Sequence, residues 1–284
     1  MIDRRAKNTE IFKDTERRYK TEPILIEAVK RLRASQQFIA ANDSVKPPKN
    51  NGARQAKVIV SEKRSLEAAE GYAKQGKRVC VHNFASATNP GGGVVNGASA
   101  QEECICRCTT LYPCLDSREM WSSFYSPHRK ANDPLYNDDC IYTPDVYVIK
   151  SDISFPEPLE ESERYKVDII TCAAPNLRIK PSNMMNPGAG RSPARITNTQ
   201  LESLLTSRVK RIFEIAAAKG EDVLILGAFG CGAFHNPPQV AAKVFHDVMK
   251  DYLSFFEVIE YAVYHRADEA ANYQEFVKAM REFT

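Results

Sequence analysis

The run Asn89-Pro90-Gly91-Gly92-Gly93 is followed, after seven residues, by Gln101-Glu102-Glu103. Successive glycines let a backbone approach a ligand closely and adopt positive φ without steric penalty. Amide N–H groups in such a loop can converge on a phosphate or a ribose hydroxyl. Standing alone, the glycines fit an ordinary tight turn equally well, and adjacent glutamates usually make a solvated helix face. Together they allow more. Neighbours on a helix point about 100° apart, so Glu102 and Glu103 cannot grip one atom symmetrically. One would face a ligand while the other orients it or holds the fold. If both are partly buried, desolvation and like-charge proximity raise a carboxyl pKa toward the range of a general acid. Glycosidic cleavage needs such an acid for the leaving oxygen, together with charge support for an oxocarbenium-like centre.

A second glycine-rich turn is Leu226-Gly227-Ala228-Phe229-Gly230-Cys231-Gly232-Ala233-Phe234. It follows an apolar run and precedes a helical pattern, the setting in which backbone amides bind a diphosphate. Phe234 fits either a sugar or base contact or a place in the core. Two glycine turns after two strands, one carrying carboxylates, point to a nucleotide-sugar diphosphate. The lysine of a P-loop is missing, which excludes nucleotide hydrolysis of that type.

Other chemistry-bearing residues give weaker patterns. Cys104, Cys106 and Cys108, with Cys114 beyond, alternate along a helical stretch, which sends their side chains to different faces and argues against zinc. Five scattered histidines offer no nucleophile–base spacing, and Cys231 with His235 reads as a small residue in a glycine turn. The polar stretch from Pro175 to Pro193 carries Arg178, Lys180 and Arg191 and reads as a solvated loop that could flank an anionic polymer.

The elements that must position these residues are legible as alternating patterns. Strand candidates are Val58-Ile59-Val60, Arg78 to Phe84, Val146 to Lys150, Val167 to Cys172, Asp222 to Ala228 and Val258 to Tyr264. Several are apolar throughout, as strands covered on both faces are. A helix is predicted from the capping-box spacing of Thr199 and Glu202, with a stripe from Leu201 to Ala216 and Gly220 at its end. Asn236-Pro237 marks another helix start, with Val240, Val244, Phe245 and Val248 facing inward. A last helix uses Tyr273, Phe276, Val277 and Met280. Residues 1–45 read as helical and polar, with Ile24, Ile26, Val29 and Leu32 at helical spacing, and 45–55 as a turn-rich connector. Strand–helix alternation predicts an α/β sandwich with three layers.

Composition sets the outer bounds. The chain has 284 residues, 43% hydrophobic and 26% charged, as in ordinary soluble domains. Thirty-nine Lys and Arg against 36 Asp and Glu leave a net charge of +3, so no nucleic-acid binding is implied. No apolar run approaches the roughly 20 residues that span a bilayer. The charged start, Met1-Ile2-Asp3-Arg4-Arg5, does not read as a signal peptide. The eight cysteines are expected to be reduced thiols in a cytoplasmic protein.

The run Asn83-Phe84-Ala85-Ser86-Ala87-Thr88-Asn89-Pro90-Gly91-Gly92-Gly93, with Asn96-Gly97-Ala98, Ala100-Gln101-Glu102-Glu103, Arg107 and Thr110-Leu111-Tyr112-Pro113, resembles the signature of the microbial-type poly(ADP-ribose) glycohydrolases of the macrodomain superfamily. The turn Gly227 to Phe234 is similar to their second, diphosphate-binding loop. The resemblance is specific over 83–113 and 222–238. It implies a macrodomain-like mixed sheet in an α/β/α arrangement over 56–284, with residues 1–55 as an amino-terminal helical accessory segment. It further implies that Glu103 protonates the departing ribose oxygen and then serves as base, while Glu102 holds the ribose hydroxyls. Gly91, Gly92 and Gly93 would line the diphosphate and distal ribose, Gln101 would support the loop, and Phe234 would pack on the ribose being cleaved. Asn83 and Phe84 lie at the expected strand end. No metal or cofactor is implied. Poly(ADP-ribose) or ADP-ribosylated macromolecules would be the partners, ADP-ribose the product, and a monomer without membrane attachment the form. Val94-Val95 and Phe229 depart from the pattern, where a bulkier pair and a tryptophan are expected. The alternatives are a hydrolase that removes single ADP-ribose units and a module that binds ADP-ribose without cutting it.

Overall fold

Apolar, β-branched runs make the centre of a seven-stranded mixed sheet, in a computed structural model that describes residues 3–49, 52, 54–184 and 186–284. The strands are β1 (Gln37–Ile39), β2 (Lys57–Ser61), β3 (Val79–Phe84), β4 (Cys140–Val148), β5 (Tyr165–Cys172), β6 (Val223–Leu226) and β7 (Val258–Ala262). Their order is β1-β4-β5-β3-β6-β7-β2. The five strands from β5 to β2 run parallel, while β4 and β1 join antiparallel at one edge.

Helices cover both faces. On one face lie α8 (Asn198–Lys219), α9 (Pro238–Met249) and α10 (Ala271–Met280), packed on Cys80, Ile170, Leu224 and Tyr261. On the other lie α3 (Ser65–Lys74) and α4 (Gln101–Cys108), packed on Val79, Val81, Ile169 and Ile225. The alternation of these sheet residues between the two cores is the period-two pleat of covered strands. A short helical run continues from α4 through α5 (Tyr112–Leu115), α6 (Arg118–Met120), a π turn (Trp121–Tyr125) and α7 (Ser126–Ala131). The architecture is the expected three-layer α/β/α.

At the amino end, α1 (Arg4–Thr21) and α2 (Pro23–Ser35) form the helical extension. Lys150, almost fully buried, fastens α1 by donating to the Ile11 carbonyl at 2.7 Å and pairing with Asp14 at 2.9 Å. Asn8 donates to the Gly97 carbonyl at 3.0 Å and Thr15 to the Arg107 carbonyl at 2.5 Å, so α1 braces both the segment between glycine loop and glutamates and the last turn of α4.

Several local expectations change. Residues 37–39, inside the stretch read as helical, form β1 and pair with Cys140–Tyr142. Strand β4 begins at Cys140, not Val146: Cys140 to Thr143 pair with Cys172 to Ile169 before the ladder shifts register around Pro144 and Asp145. A proline breaks the alternation that marks a strand. The α8 capping box is Thr197 with Gln200, two residues before the expected pair. Ile24 and Val277 face solvent instead of the core. Gly220 does end α8, with φ of 72°.

Candidate active site

Strands β3, β6 and β7 run parallel, so the segments that leave them emerge together at one edge of the sheet. Ligands of open α/β sheets bind at that carboxyl edge. Gln101 begins α4 and joins it to β3. Its Oε1 accepts from the Phe84 amide at 2.8 Å, and its Nε2 donates to the His82 carbonyl at 2.7 Å and to Ser65 Oγ at 3.0 Å. That three-way stitch fixes the helix start against the strand end.

The glycine loop then folds back over the first turn of α4. Gly91 and Gly92 take φ of 64° and 57°, a region open to glycine. Space forbids side chains as well. A Cβ at Gly91 would stand 2.7 Å from the Tyr112 ring, and one at Gly92 would stand 2.5 Å from Glu103 Oε1 and 3.1 Å from Glu102 Oε2. Both carboxylates thus come together beneath Gly92, although they are helix neighbours. Glu102 Oε2 accepts from the Ser86 amide at 2.8 Å, and Glu103 Oε1 from the Gly93 amide at 2.8 Å. Asn89 clips the loop by donating to the Gly92 carbonyl.

Both glutamates are buried, 3% and 7% exposed. Burial pushes the Glu102 carboxyl well above its ordinary pKa, and the charge of Glu103 adds to the shift. Burial also raises Glu103, held back by the Gly93 amide and the Arg107 guanidinium. Among the described residues each keeps one buried oxygen without a partner, Glu102 Oε1 and Glu103 Oε2, and Asn83 Oδ1 and the Tyr125 hydroxyl are likewise unpaired. Buried polar atoms left unpaired are rare and call for an explanation.

A cleft of about 460 Å³ opens on the other side of α4, bounded by Phe84, Gln101, Asp152, Phe229, Phe234 and Tyr264 among others. The carboxylates are not among its walls, nor are Asn83 and Gly91 to Gly93. Helix geometry explains the division: Gln101, Cys104 and Ile105 face the cleft, whereas Glu102 and Glu103 face the glycine loop. Of the second turn, Ala228, Phe229, Gly230, Gly232, Ala233 and Phe234 border the cleft. Gly227 instead lies close to the Ala262 carbonyl and Phe84, and Cys231 hydrogen-bonds back to the Phe229 carbonyl at 3.6 Å. Phe229 packs on His82 and Phe84, with ring centroids 4.5 and 5.8 Å away.

Sequence reasoning missed three contributors at the far end of the cleft. Asp152 is buried; its Oδ2 accepts from the Leu66 amide at 3.0 Å while Oδ1 has no partner among the described residues. Burial raises its pKa. The Arg64 guanidinium lies 3.9 Å over the ring of Tyr264. None of the three sits in a recognisable run; only folding gathers them. The cysteines are free thiols, and no metal-binding group of three His, Cys, Asp or Glu occurs among the described residues.

The family described as microbial-type PARG, catalytic domain, matches residues 6–151. The chain belongs to that family. The matched span of this microbial-type PARG holds the glycine loop, the glutamate pair and the α1 brace, while the second loop lies beyond it. Poly(ADP-ribose) glycohydrolase from Thermomonospora curvata, bound to the inhibitor ADP-HPD, is 28% identical, with a TM-score of 0.79 over 96% of this chain and 99% of that one. A second structure of the Thermomonospora curvata enzyme gives 26% and 0.81, over 97% and 100%. The Deinococcus radiodurans enzyme in complex with ADP-ribose gives 26% and 0.73, over 90% and 98%. No curated protein sequence matches. No helix among the described residues is long and apolar enough to cross a membrane.

Proposed function

We propose that this chain hydrolyses the ribose–ribose O-glycosidic bonds of poly(ADP-ribose), releasing ADP-ribose, with Glu103 as general acid and base. The observation that carries this reading is the buried carboxyl pair tethered beneath Gly92 and Gly93, with one oxygen of each left unpaired, in a family of glycohydrolases.

The two glutamates differ in a way that fits two roles. Burial and the charge of its neighbour favour the neutral form of Glu102, in which Oε1 donates to a ribose hydroxyl. Glu103 is raised less far, because the Gly93 amide and Arg107 favour its anion. A group that must give a proton and take one back works best at such an intermediate position. Glu103 gives its proton to the bridging oxygen as the bond to the anomeric carbon breaks. Water then adds to that carbon and returns a proton to Glu103. One water is consumed, and each ribose gains a hydroxyl. The deprotonated Glu103 and the glycine-loop amides bear on the cationic sugar and its diphosphate, respectively.

The adenosine half occupies the cleft, with the adenine amino group donating to Asp152 Oδ1 and the diphosphate along Phe229 to Phe234. Phe234 packs on the ribose that is cut. The same reading assigns residues 1–55 as an accessory segment on a macrodomain body of 56–284, supported by the Lys150 and Thr15 bonds to α1 and to Arg107. It also takes the protein as a monomer and, in keeping with eight free thiols, as cytoplasmic.

The test is ADP-ribose release from purified poly(ADP-ribose) by the native chain and by Glu103→Gln. A loss of about a hundredfold or more in the variant is expected from removing a general acid. Equal release by both would clear Glu103 of the role. Binding of ADP-ribose without any release would leave a reader in place of an enzyme.

A further inference from the structure

The bond that is cut has two sides, and the cleft holds only one. The departing oxygen belongs to the next ADP-ribose unit, whose own adenine and diphosphate lie within a few bonds of the reacting atoms. Trp121 and Arg129 stand on the outer side of the glycine loop and border no part of the cleft. Arg129 Nε donates to the Thr88 carbonyl at 2.6 Å, and Nη2 to Asn89 Oδ1 at 3.4 Å. Asn89 in turn clips Gly92, so this arginine is joined by a short chain of bonds to the loop that tethers Glu103.

The guanidinium lies 4.5 Å over the Trp121 ring, and the indole is oriented by its 2.7 Å bond to Asp116. In an uninterrupted α-helix, residues eight apart would face about 80° away from one another. The wider π turn at Trp121–Tyr125 brings Trp121 and Arg129 into register instead. Single π turns inside helices often mark functional sites. Both side chains are half-buried, which leaves part of each surface open.

The loop after β5 completes the wall. Asn186 accepts from Ser86 Oγ and from Thr88 Oγ1 at 3.4 Å. Gly188, with φ of 72°, lies against Arg129, where a Cβ would meet its Cα at 3.1 Å. The Gly190 amide donates to Asn132 Oδ1 at 3.1 Å, which ties the residue before Arg191 to the end of α7, two residues past Lys130. Among the described residues, Arg129, Lys130 and Arg191 have no carboxylate within ion-pair distance.

We propose that Trp121 and Arg129, with Lys130 and Arg191 at the rim, form a subsite for the departing ADP-ribose unit. Its adenine stacks on the face of the indole turned away from the Arg129 guanidinium, and its diphosphate meets the cations. An aromatic platform beside unpaired cations is how flexible nucleotide chains are held without sequence preference. The subsite rests on the glycohydrolase reading above.

Two substrates test it: purified poly(ADP-ribose), and ADP-ribose joined at its anomeric carbon to a small phenol, which has the same bond to cut but no departing nucleotide. Trp121→Ala and the double variant Lys130→Glu/Arg191→Glu are compared with the native chain. The expected result is a fall of about tenfold or more in kcat/KM on polymer, as loss of one base stack or two phosphate contacts gives, with phenol release unchanged within about twofold. The double variant alters only exposed side chains, so it answers even if Trp121→Ala folds poorly. Equal losses on both substrates, or none on either, would overturn the subsite. A native chain inert on both would sink the hydrolase reading, and the subsite with it.

Discussion

The Gly93 amide donates to Glu103 Oε1 at 2.8 Å, so the glycine loop holds the carboxyl in place. The residue before it has no room to change. In Gly92→Ala the new methyl would stand 2.5 Å from the same oxygen, in a backbone conformation with φ of 57° that alanine resists. Displacing a catalytic group by about 1 Å can cost about a hundredfold in rate. Gly92→Ala is therefore expected to lose about that much kcat on polymer while unfolding within a few degrees of the native chain. A thermal melt beside the assay checks it. Full activity would show that the carboxylates can move aside.

The two glutamates predict different responses to the same substitution. Burial and the Glu103 charge push the Glu102 carboxyl toward its neutral form, which a glutamine matches in shape and charge, so Glu102→Gln keeps most of what it does. Glu103→Gln removes a transferable proton. Glu102→Gln should retain at least about ten times the kcat of Glu103→Gln, since general acid–base groups contribute about 10²–10⁴-fold. The reverse order would exchange the two roles. The raised Glu103 pKa sets the pH dependence: cleavage needs the protonated acid, so kcat falls as pH rises through that value, above the ordinary carboxylate range. A limb at the usual carboxylate position would refute the shift.

How far the sequence reaches is visible in these residues. Gly91 to Gly93 and Glu102-Glu103 stand out because loop and helix start are only seven residues apart, and local chemistry is what sequence displays. The apolar strands are equally plain. Strand β1 is three residues long, too short for any periodicity, and β4 is interrupted at Pro144. Asp152, Arg64 and Tyr264 belong to segments far apart in the chain. So do Arg129 and Gly188, whose contact depends on a positive φ and on a π turn that shifts helical register. Such neighbours exist only once the sheet order is set.

Two buried groups away from the carboxylates make stability depend on pH in opposite directions. Burial between Phe84 and Phe229 pushes His82 down to about 3, with neither ring nitrogen bonded. The unfolded chain binds this proton below about 6.5 while the folded one does not, so stability falls as pH drops from there toward 3. Burial, with Asp168 beside it, raises Glu221 to about 9, although Tyr142 donates to it at 3.0 Å. Here the folded state keeps a proton the unfolded state has lost, so stability falls as pH climbs from about 4.5 toward 9. Glu221→Gln should flatten the alkaline side and His82→Leu the acid side, in melting temperatures measured from pH 4 to 9. Slopes that match the native chain would rule out these groups.

Placing the adenosine half in the cleft, as proposed above, makes a prediction about the base. Asp152 Oδ2 is committed to the Leu66 amide, which leaves Oδ1 as a buried acceptor without a partner among the described residues, on a residue that lines the cleft. An adenine amino group satisfies that acceptor; hypoxanthine, with a carbonyl in its place, sets two acceptors against each other. ADP-ribose should therefore bind more tightly than its hypoxanthine analogue, by about tenfold or more, the cost of leaving a buried polar atom unpaired. In Asp152→Asn the side-chain oxygen keeps the Leu66 amide and turns an NH₂ into the cleft. That donor now faces the adenine amino group and suits the hypoxanthine carbonyl, so the preference should shrink or reverse while the fold is kept. Titration calorimetry with both ligands on both proteins measures it. An unchanged preference in Asp152→Asn would place the base elsewhere, with Arg64 and Tyr264 as the surface left to hold it.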